Sequence, residues 1–182
     1  LLSGLKLTET VRTLQPPAMF RIHIIGRKNH GKTRLVVELT REFTSRGLKV
    51  GTIKHTHHRH ELDVAGKDSH QHRLAGAEVV GILSQQRMAI FLPSKTPDET
   101  ADRYSQLLPF FSSCDLVIVE GDSQTTAPKI EVWRAANPTE PLAQSDDSIL
   151  AVVTDDPLTT RTTILPRSDV SRLANWIIEL SR

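Results

Sequence analysis

The stretch that decides the fold is GRKNHGKT, which runs from Gly26 to Thr33. It has the Walker A pattern, in which a glycine is followed by four free positions, a second glycine, a lysine, and a serine or threonine. The apolar run FRIHII precedes it at 20–25, and apolar residues recur at helical spacing after Lys32. A strand, a glycine loop and a helix in this order predict a phosphate-binding loop, rather than a plain turn that carries a surface lysine.

Each fixed position of this loop has a chemical role in binding a nucleotide. Gly26 and Gly31 let the backbone curl so that its N–H groups point at phosphate oxygens. Lys32 brings a positive charge to the β- and γ-phosphates, and Thr33 offers a hydroxyl to Mg²⁺. The helix that follows adds the positive end of its dipole. The predicted nucleotide-binding residues are Gly26, Arg27, Lys28, Asn29, His30, Gly31, Lys32, Thr33 and Arg34.

The segments around the loop predict an α/β domain with a mainly parallel sheet. LKVGTIK at 48–54 is the next strand, so strand, helix and strand form a βαβ unit with a right-handed crossover. EVVGILS and RMAIFL, separated only by two glutamines, predict a small antiparallel hairpin. Further strands are predicted at 115–121, 128–134 and 148–155, and further helices at 69–77, 96–111 and 168–181, the last capped by Ser168.

Composition limits the classes of function. A chain of 182 residues with a formal charge of +2 does not have the broad basic surface of a nucleic-acid-binding protein. No stretch has the length of a transmembrane helix, so we expect no membrane partner. Cys114 is the one cysteine, which fits a cytoplasmic protein. We expect one nucleotide-binding domain over 19–182, with 1–18 as an N-terminal extension.

Glu120 is the candidate for the second acid that a phosphate loop needs. It ends the most apolar strand, DLVIVEG, and the carboxyl ends of parallel strands meet at the edge where ligands bind. We therefore predict that Thr33 and Glu120 hold the metal or its water, and that Glu120 and Lys32 are the catalytic residues. The alternative is a solvated glutamate at a strand end.

Six of the eight histidines lie between His55 and His72, and three interpretations stay open. In the first, His55, His57 and His58 face the ligand or act as a switch, because they follow the second strand. In the second, the segment binds Zn²⁺ or Ni²⁺. In the third, it is a solvated polar loop. The candidate metal ligands are His57, His58, His60 and Asp63.

Three other charged residues are candidates for the site, and two of them also have an ordinary interpretation. Lys54 ends the second strand and would add positive charge near the phosphates. Asp68 would either cap the short helix that follows or take part in a switch. Asp155, the last residue of the strand predicted over 148–155, would accept hydrogen bonds from guanine N1 and N2 or simply lie in a turn before Pro157.

The chain resembles the molybdopterin-guanine dinucleotide biosynthesis protein B family (MobB). The resemblance rests on GRKNHGKT, GTIKHTHH, GKDSHQHRLAGA, SQQRMAI, and DLVIVEG followed by PKIEVWR, in the family's order over about residues 20–134. ILAVVTDD and LPRSDVSRLANWI are similar to its C-terminal part. The family often has an aromatic residue and a lysine after VEG, where this chain has Asp122 and Ser123.

The resemblance implies a P-loop NTPase-like three-layer sandwich that binds GTP and Mg²⁺ and forms a homodimer. Its implied role is to assist the guanylyltransferase that joins GMP to molybdopterin, with slow GTP hydrolysis and the nucleotidyl transfer left to that partner. The alternative is a metal-insertion GTPase, a metallochaperone that uses the segment 55–60. The residues assigned to a switch, or to contact with the pterin, are Lys54, His55, His57, His58, Lys67 and Asp68.

Large polar residues occupy the four free positions of the loop, where small ones are usual. Backbone N–H groups can still cradle a phosphate, since this asks nothing of the side chains. We therefore expect the side chains of Arg27, Lys28, Asn29 and His30 to point elsewhere, toward the anionic pterin or a second subunit. Replacing Arg27 and Lys28 with alanine should then spare GTP binding.

Overall fold

The computed structural model describes residues 19–56, 61–93, 102 and 104–182. Contacts divide the chain into two compact units, one formed by the described residues up to His55 together with Ser112–Arg182, the other by Thr56–Phe111. The predicted extension at 1–18 lies outside the described residues. The strands are β1 Phe20–Ile25, β2 Val50–Lys54, β3 Val80–Leu83, β4 Met88–Phe91, β5 Leu116–Glu120, β6 Lys129–Val132, β7 Ile149–Val153 and β8 Thr163–Leu165. The α-helices are α1 Lys32–Ser45, α2 Asp68–Leu74 and α3 Val170–Leu180.

The first unit contains a six-stranded parallel sheet in the order β2-β5-β1-β6-β7-β8. Its inner strands are buried apolar runs, as expected for a parallel sheet whose faces are covered. β1 lies between β5 and β6, with Ile24 in register with both Glu120 and Ile130. The loop that follows β1 is therefore flanked by the carboxyl ends of β5 and β6. The parallel pairing of these strands confirms the predicted mainly parallel sheet.

Alternate residues of β1 belong to two apolar clusters, which is the period of a strand buried on both faces. Ile22 and Ile24 pack with residues of α1 and α3, including Phe43 and Leu173. Ile25 belongs to a smaller cluster that includes the 3₁₀ helix Leu142–Gln144. The helix predicted after Lys32 is confirmed as α1. Its buried residues form one stripe at helical spacing, made of Leu35, Val36, Leu39 and Phe43.

The second unit contains α2 and an antiparallel pair of strands. β3 and β4 form the predicted hairpin, with Val80 opposite Phe91 and Leu83 opposite Met88. Its turn is closed by the backbone N–H of Ser84, which donates to the carbonyl of Arg87 at 2.9 Å. In the part of the chain that the structure describes, no helix is long and apolar enough to cross a membrane.

Two sequence predictions are wrong, and one strand was missed. The helix predicted over 96–111 is wrong in its described part, where the chain turns at Tyr104 and forms only the 3₁₀ helix Leu108–Phe111. Pro109 has no N–H to continue an α-helix there. The cap of α3 is Asp169, which accepts the N–H of Arg172, and not Ser168. β8 was not predicted, because an edge strand of three residues is too short to show the alternating pattern of a strand.

Candidate functional site

The phosphate loop has the backbone conformation that its glycines predict. Gly26 and Gly31 have φ angles of 138° and 95°, a region that other residues rarely adopt. A Cβ on Gly26 would lie 2.5 Å from the carbonyl oxygen of Val132, at the end of the neighbouring strand β6. The first glycine is therefore required both by its φ and by the backbone that packs against it.

The loop ends at the N-terminus of α1, where Gly31 is the N-cap residue and no described side chain caps the helix. The first N–H groups of α1 are thus available to an anion, as in a phosphate site. The ammonium of Lys32 donates to the carbonyl oxygen of Arg27 at 2.8 Å, across the mouth of the loop. Burial lowers the pKa of Lys32. The negative charge of Glu120 raises this pKa, and the positive charge of Lys54 lowers it further. Lys54, at the end of β2, therefore lies close enough to Lys32 for their two positive charges to repel.

Thr33 and Glu120 come together at the carboxyl edge of the sheet. The hydroxyl of Thr33 donates to Oε1 of Glu120 at 2.6 Å, although the two residues are 87 positions apart. Glu120 is the last residue of β5, and α1 places Thr33 directly after Lys32. A threonine hydroxyl and a carboxylate are oxygen donors of the kind that Mg²⁺ prefers. The predicted metal-binding pair is thus in one place.

His30 does not point outward, which corrects the expectation for this residue. Its side chain is buried, with an exposed fraction of 1%. Nδ1 accepts the backbone N–H of Arg134 at 3.0 Å, so Nε2 carries the proton and donates to the hydroxyl of Thr139, also at 3.0 Å. Burial, with the charges of Lys32, Arg134 and Arg27, lowers the pKa of His30. The histidine is a neutral connector between the loop and the chain beyond β6.

Arg134–Thr139, which we call the covering segment, was not recognised from the sequence as part of the site. The guanidinium of Arg134 lies 3.2–3.5 Å from the position that a Cβ on Gly31 would take. The side-chain amide of Asn137 donates to the carbonyl of Asn29 at 3.2 Å. A usable signal existed, because Arg134 is the last residue of the strand predicted over 128–134, and the carboxyl ends of parallel strands form the ligand edge.

Two predicted site residues have structural partners. The guanidinium of Arg34 pairs with Glu38 at 2.8 Å, one turn along α1, so this side chain already has a structural partner. Asp155 follows β7, and its Oδ1 accepts both the N–H and the hydroxyl of Ser168 at 2.9 Å. These bonds lower the pKa of Asp155. The carboxylate lines an open pocket with Thr154, Asp156 and Arg172, and its role toward guanine stays a prediction.

His55 is fixed in the first unit beside Glu120. Its N–H donates to the carbonyl of Glu120 at 2.9 Å, and its own carbonyl lies 3.1 Å from where a Cβ on Gly121 would be. Gly121 is therefore needed for the close approach of this segment. His57 and His58, predicted for the switch, lie outside the described residues.

The second unit contains the remaining candidates. Lys67 is the N-cap residue of α2 and makes no cap bond through its side chain, while Asp68 is the first helical residue and not the cap. Asp63 accepts the hydroxyl of Ser69 at 2.9 Å. Within the described residues no group of three His, Cys, Asp or Glu could hold a metal ion, and His60 lies outside them.

Comparison with known proteins identifies the family. The family model described as molybdopterin guanine dinucleotide synthesis protein B matches residues 21–155. A relative from Haemophilus influenzae, a molybdopterin-guanine dinucleotide biosynthesis adapter protein, is 35% identical over 157 residues, which are 85% of each chain. A protein of the same name from Escherichia coli is 37% identical over 153 residues, covering 82% of this chain and 86% of its own.

Solved structures agree on the fold. The crystal structure titled molybdopterin-guanine biosynthesis protein B is 27% identical, with a TM-score of 0.66 over 90% of this chain and 99% of its own. A MobB homologue from Bacillus stearothermophilus has a TM-score of 0.58 at 20% identity, covering 89% and 97%. The predicted P-loop NTPase-like α/β fold is thereby confirmed, and this chain belongs to the molybdopterin guanine dinucleotide synthesis protein B family.

Proposed function

We propose that this protein binds GTP with Mg²⁺ and acts as an adapter in the synthesis of molybdopterin guanine dinucleotide. One observation carries the nucleotide part, namely the contact of 2.6 Å between Thr33 and Glu120 beside Lys32 at the open N-terminus of α1. The names of the two relatives above support the biosynthetic part. The lone cysteine, Cys114, is free, which fits the cytoplasm as the place of action.

Each residue of the loop has a role in the proposed binding of the nucleotide. The backbone N–H groups of Asn29–Thr33 receive the phosphate oxygens. The bond to the carbonyl oxygen of Arg27 keeps the ammonium of Lys32 at the mouth of the loop. When the nucleotide binds, the ammonium leaves this carbonyl and contacts the terminal phosphates instead. Thr33 and Glu120 supply oxygen ligands for Mg²⁺ or for its waters, and the ion neutralises charge on the phosphates.

In the proposed adapter role, this chain hydrolyses GTP slowly. A guanylyltransferase partner transfers GMP to molybdopterin. Glu120 holds the water that attacks the terminal phosphate, an assignment supported by its contact with Thr33 at the edge of the sheet. Lys54 and His55 are attached to the same edge, so they are the switch residues that the described structure supports best.

We further propose that the hairpin of the second unit binds a second copy of the chain. Leu83 and Met88 face each other across the two strands and are 83% and 67% exposed. A two-stranded sheet is marginally stable in water by itself and gains stability from additional strands with an apolar face. In the second unit the described residues contain only these two strands. Sedimentation of Leu83→Asp as a monomer, with wild type as a dimer, would support this pairing.

Calorimetric titration with GTP and with ATP, each with Mg²⁺, tests the nucleotide assignment. Lys32→Ala should abolish binding while the circular dichroism spectrum stays unchanged. Lys49→Ala is the matched control, since Lys49 is exposed and precedes β2 at the opposite edge of the sheet. Near-wild-type GTP affinity in Lys32→Ala, or no preference for GTP in the wild type, would count against the proposal.

A further inference from the structure

We propose that Arg134 is an additional binding residue for the phosphate chain of the nucleotide, delivered to the phosphate loop from the end of β6. The inference rests on the proposed nucleotide binding and assigns it a residue that the Walker A pattern does not include. It follows from the position of the guanidinium, from the partners it makes and from the charges around it.

The position is set by the backbone rather than by the long side chain. The N–H of Arg134 donates to the buried ring of His30, and the next N–H, that of Ala135, donates to Asp156 at 2.8 Å. From this fixed start the guanidinium reaches Gly31. The three atoms nearest to the position that a Cβ on Gly31 would take all belong to this guanidinium, at 3.2–3.5 Å. Gly31 directly precedes Lys32 and Thr33, so the guanidinium lies against the loop where α1 begins, at the proposed phosphate site.

The partners of Arg134 differ from those of the structural arginines. Arg34, Arg46, Arg73 and Arg167 each pair with a glutamate at 2.5–2.8 Å. Over the described ranges, the guanidinium of Arg134 makes no hydrogen bond or ion pair, although the residue is only partly exposed. Its planar set of N–H donors is therefore available to an anion, and this geometry matches phosphate oxygens.

The charges around the loop favour the same conclusion. Besides burial, the charges of Lys32, Arg134 and Arg27 lower the pKa of His30, so three cations lie near one buried neutral ring. Glu120 is the acid that acts on Lys32. Cations held this close together repel each other, and a polyanion bound at Gly31 relieves that repulsion. A phosphate chain supplies this charge, whereas a neutral ligand does not.

The test compares Arg134→Ala and Arg134→Lys with wild type for binding of GTP and of inorganic tripolyphosphate, each with Mg²⁺. Tripolyphosphate carries the phosphate chain without the base or the ribose. A charged hydrogen bond contributes enough that Arg134→Ala should weaken both ligands by roughly ten- to a hundred-fold. Arg134→Lys should recover only part of this loss, because it restores the charge without the planar fork. Arg41→Ala, which removes an exposed cation on α1, should leave both affinities unchanged.

Each outcome decides the proposal. Loss of affinity for both ligands, with an unchanged melting temperature, supports phosphate binding by Arg134. Loss for GTP alone would overturn it, because Arg134 would then contact the base or the ribose. Unchanged affinity for both in Arg134→Ala would overturn it while leaving the nucleotide assignment intact. A wild type that binds neither ligand would defeat the proposed nucleotide function and this inference with it.

Discussion

The ring of His30 accepts the backbone N–H of Arg134 at 3.0 Å, across 104 positions of sequence. His30 occupies a position of the phosphate loop where a small residue is usual, and its burial explains the exception. Its second nitrogen reaches Thr139, so one side chain fixes both ends of the covering segment to the loop. The unusual residue therefore connects the loop to the covering segment.

Stability should fall in mild acid because of His30. The ordinary pKa of histidine is about 6.5, and the fold lowers it through burial and nearby cations. Below about pH 6.5 the unfolded chain gains a proton that the folded chain resists, so unfolding becomes more favourable as the pH decreases. Urea unfolding at pH 7.5 and 5.5 should show a larger loss of stability in wild type than in His30→Gln. Equal losses in the two proteins would contradict this assignment.

Thr33 should determine the effect of Mg²⁺ on GTP affinity. Thr33→Ala removes the hydroxyl that lies 2.6 Å from Glu120, and Thr33→Ser retains it. We expect Mg²⁺ to strengthen GTP binding in wild type and in Thr33→Ser, and to have little effect in Thr33→Ala. Titrations with Mg²⁺ and with EDTA measure this difference. An alanine variant that keeps the full Mg²⁺ effect would show that the metal binds elsewhere.

The sequence was sufficient for the phosphate loop and the sheet because both depend on local patterns. Lys32 and Thr33 follow a glycine at a fixed spacing, and the buried stripe of α1 repeats with helical period. The contacts of His30 and Arg134 were missed for the opposite reason. They depend on how β6 lies beside β1, a long-range relationship that no short stretch encodes. The error at Ser168 and Asp169 is of a third kind, since both are good cap residues and backbone geometry chooses between them.

Gly26 should tolerate alanine far less well than Gly47. Both have positive φ, at 138° and 84°, but a Cβ on Gly26 would meet the carbonyl of Val132 at 2.5 Å, while nothing lies within 4 Å at Gly47. Gly47→Ala should cost about 1 kcal/mol of unfolding free energy from backbone strain alone. Gly26→Ala should cost several times more, because β6 must also shift. Chemical denaturation of both variants gives the comparison, and similar costs would refute it.

Glu131 should be important for stability although it is acidic and buried. Its two carboxylate oxygens accept the N–H groups of Leu142 and Ala143, each at 2.9 Å, and burial raises its pKa. Glu131→Ala leaves two N–H groups without this acceptor and should cost roughly 2–5 kcal/mol. The exposed Glu140, in the same connection, serves as the control, and its replacement with alanine should change stability little. Thermal unfolding of both variants measures the contrast.

The bond between His30 and Thr139 joins residues 109 positions apart, and this has a consequence for biosynthesis of the chain. During translation Thr139 follows His30 by 109 positions, so the Walker A residues emerge from the ribosome well before the segment that holds the loop in shape. Contacts of such high sequence separation form late, since loop closure must precede them. A nascent chain that ends before Thr139 therefore carries the nucleotide motif without its support. The ribosome must release the covering segment before the binding site acquires its final conformation.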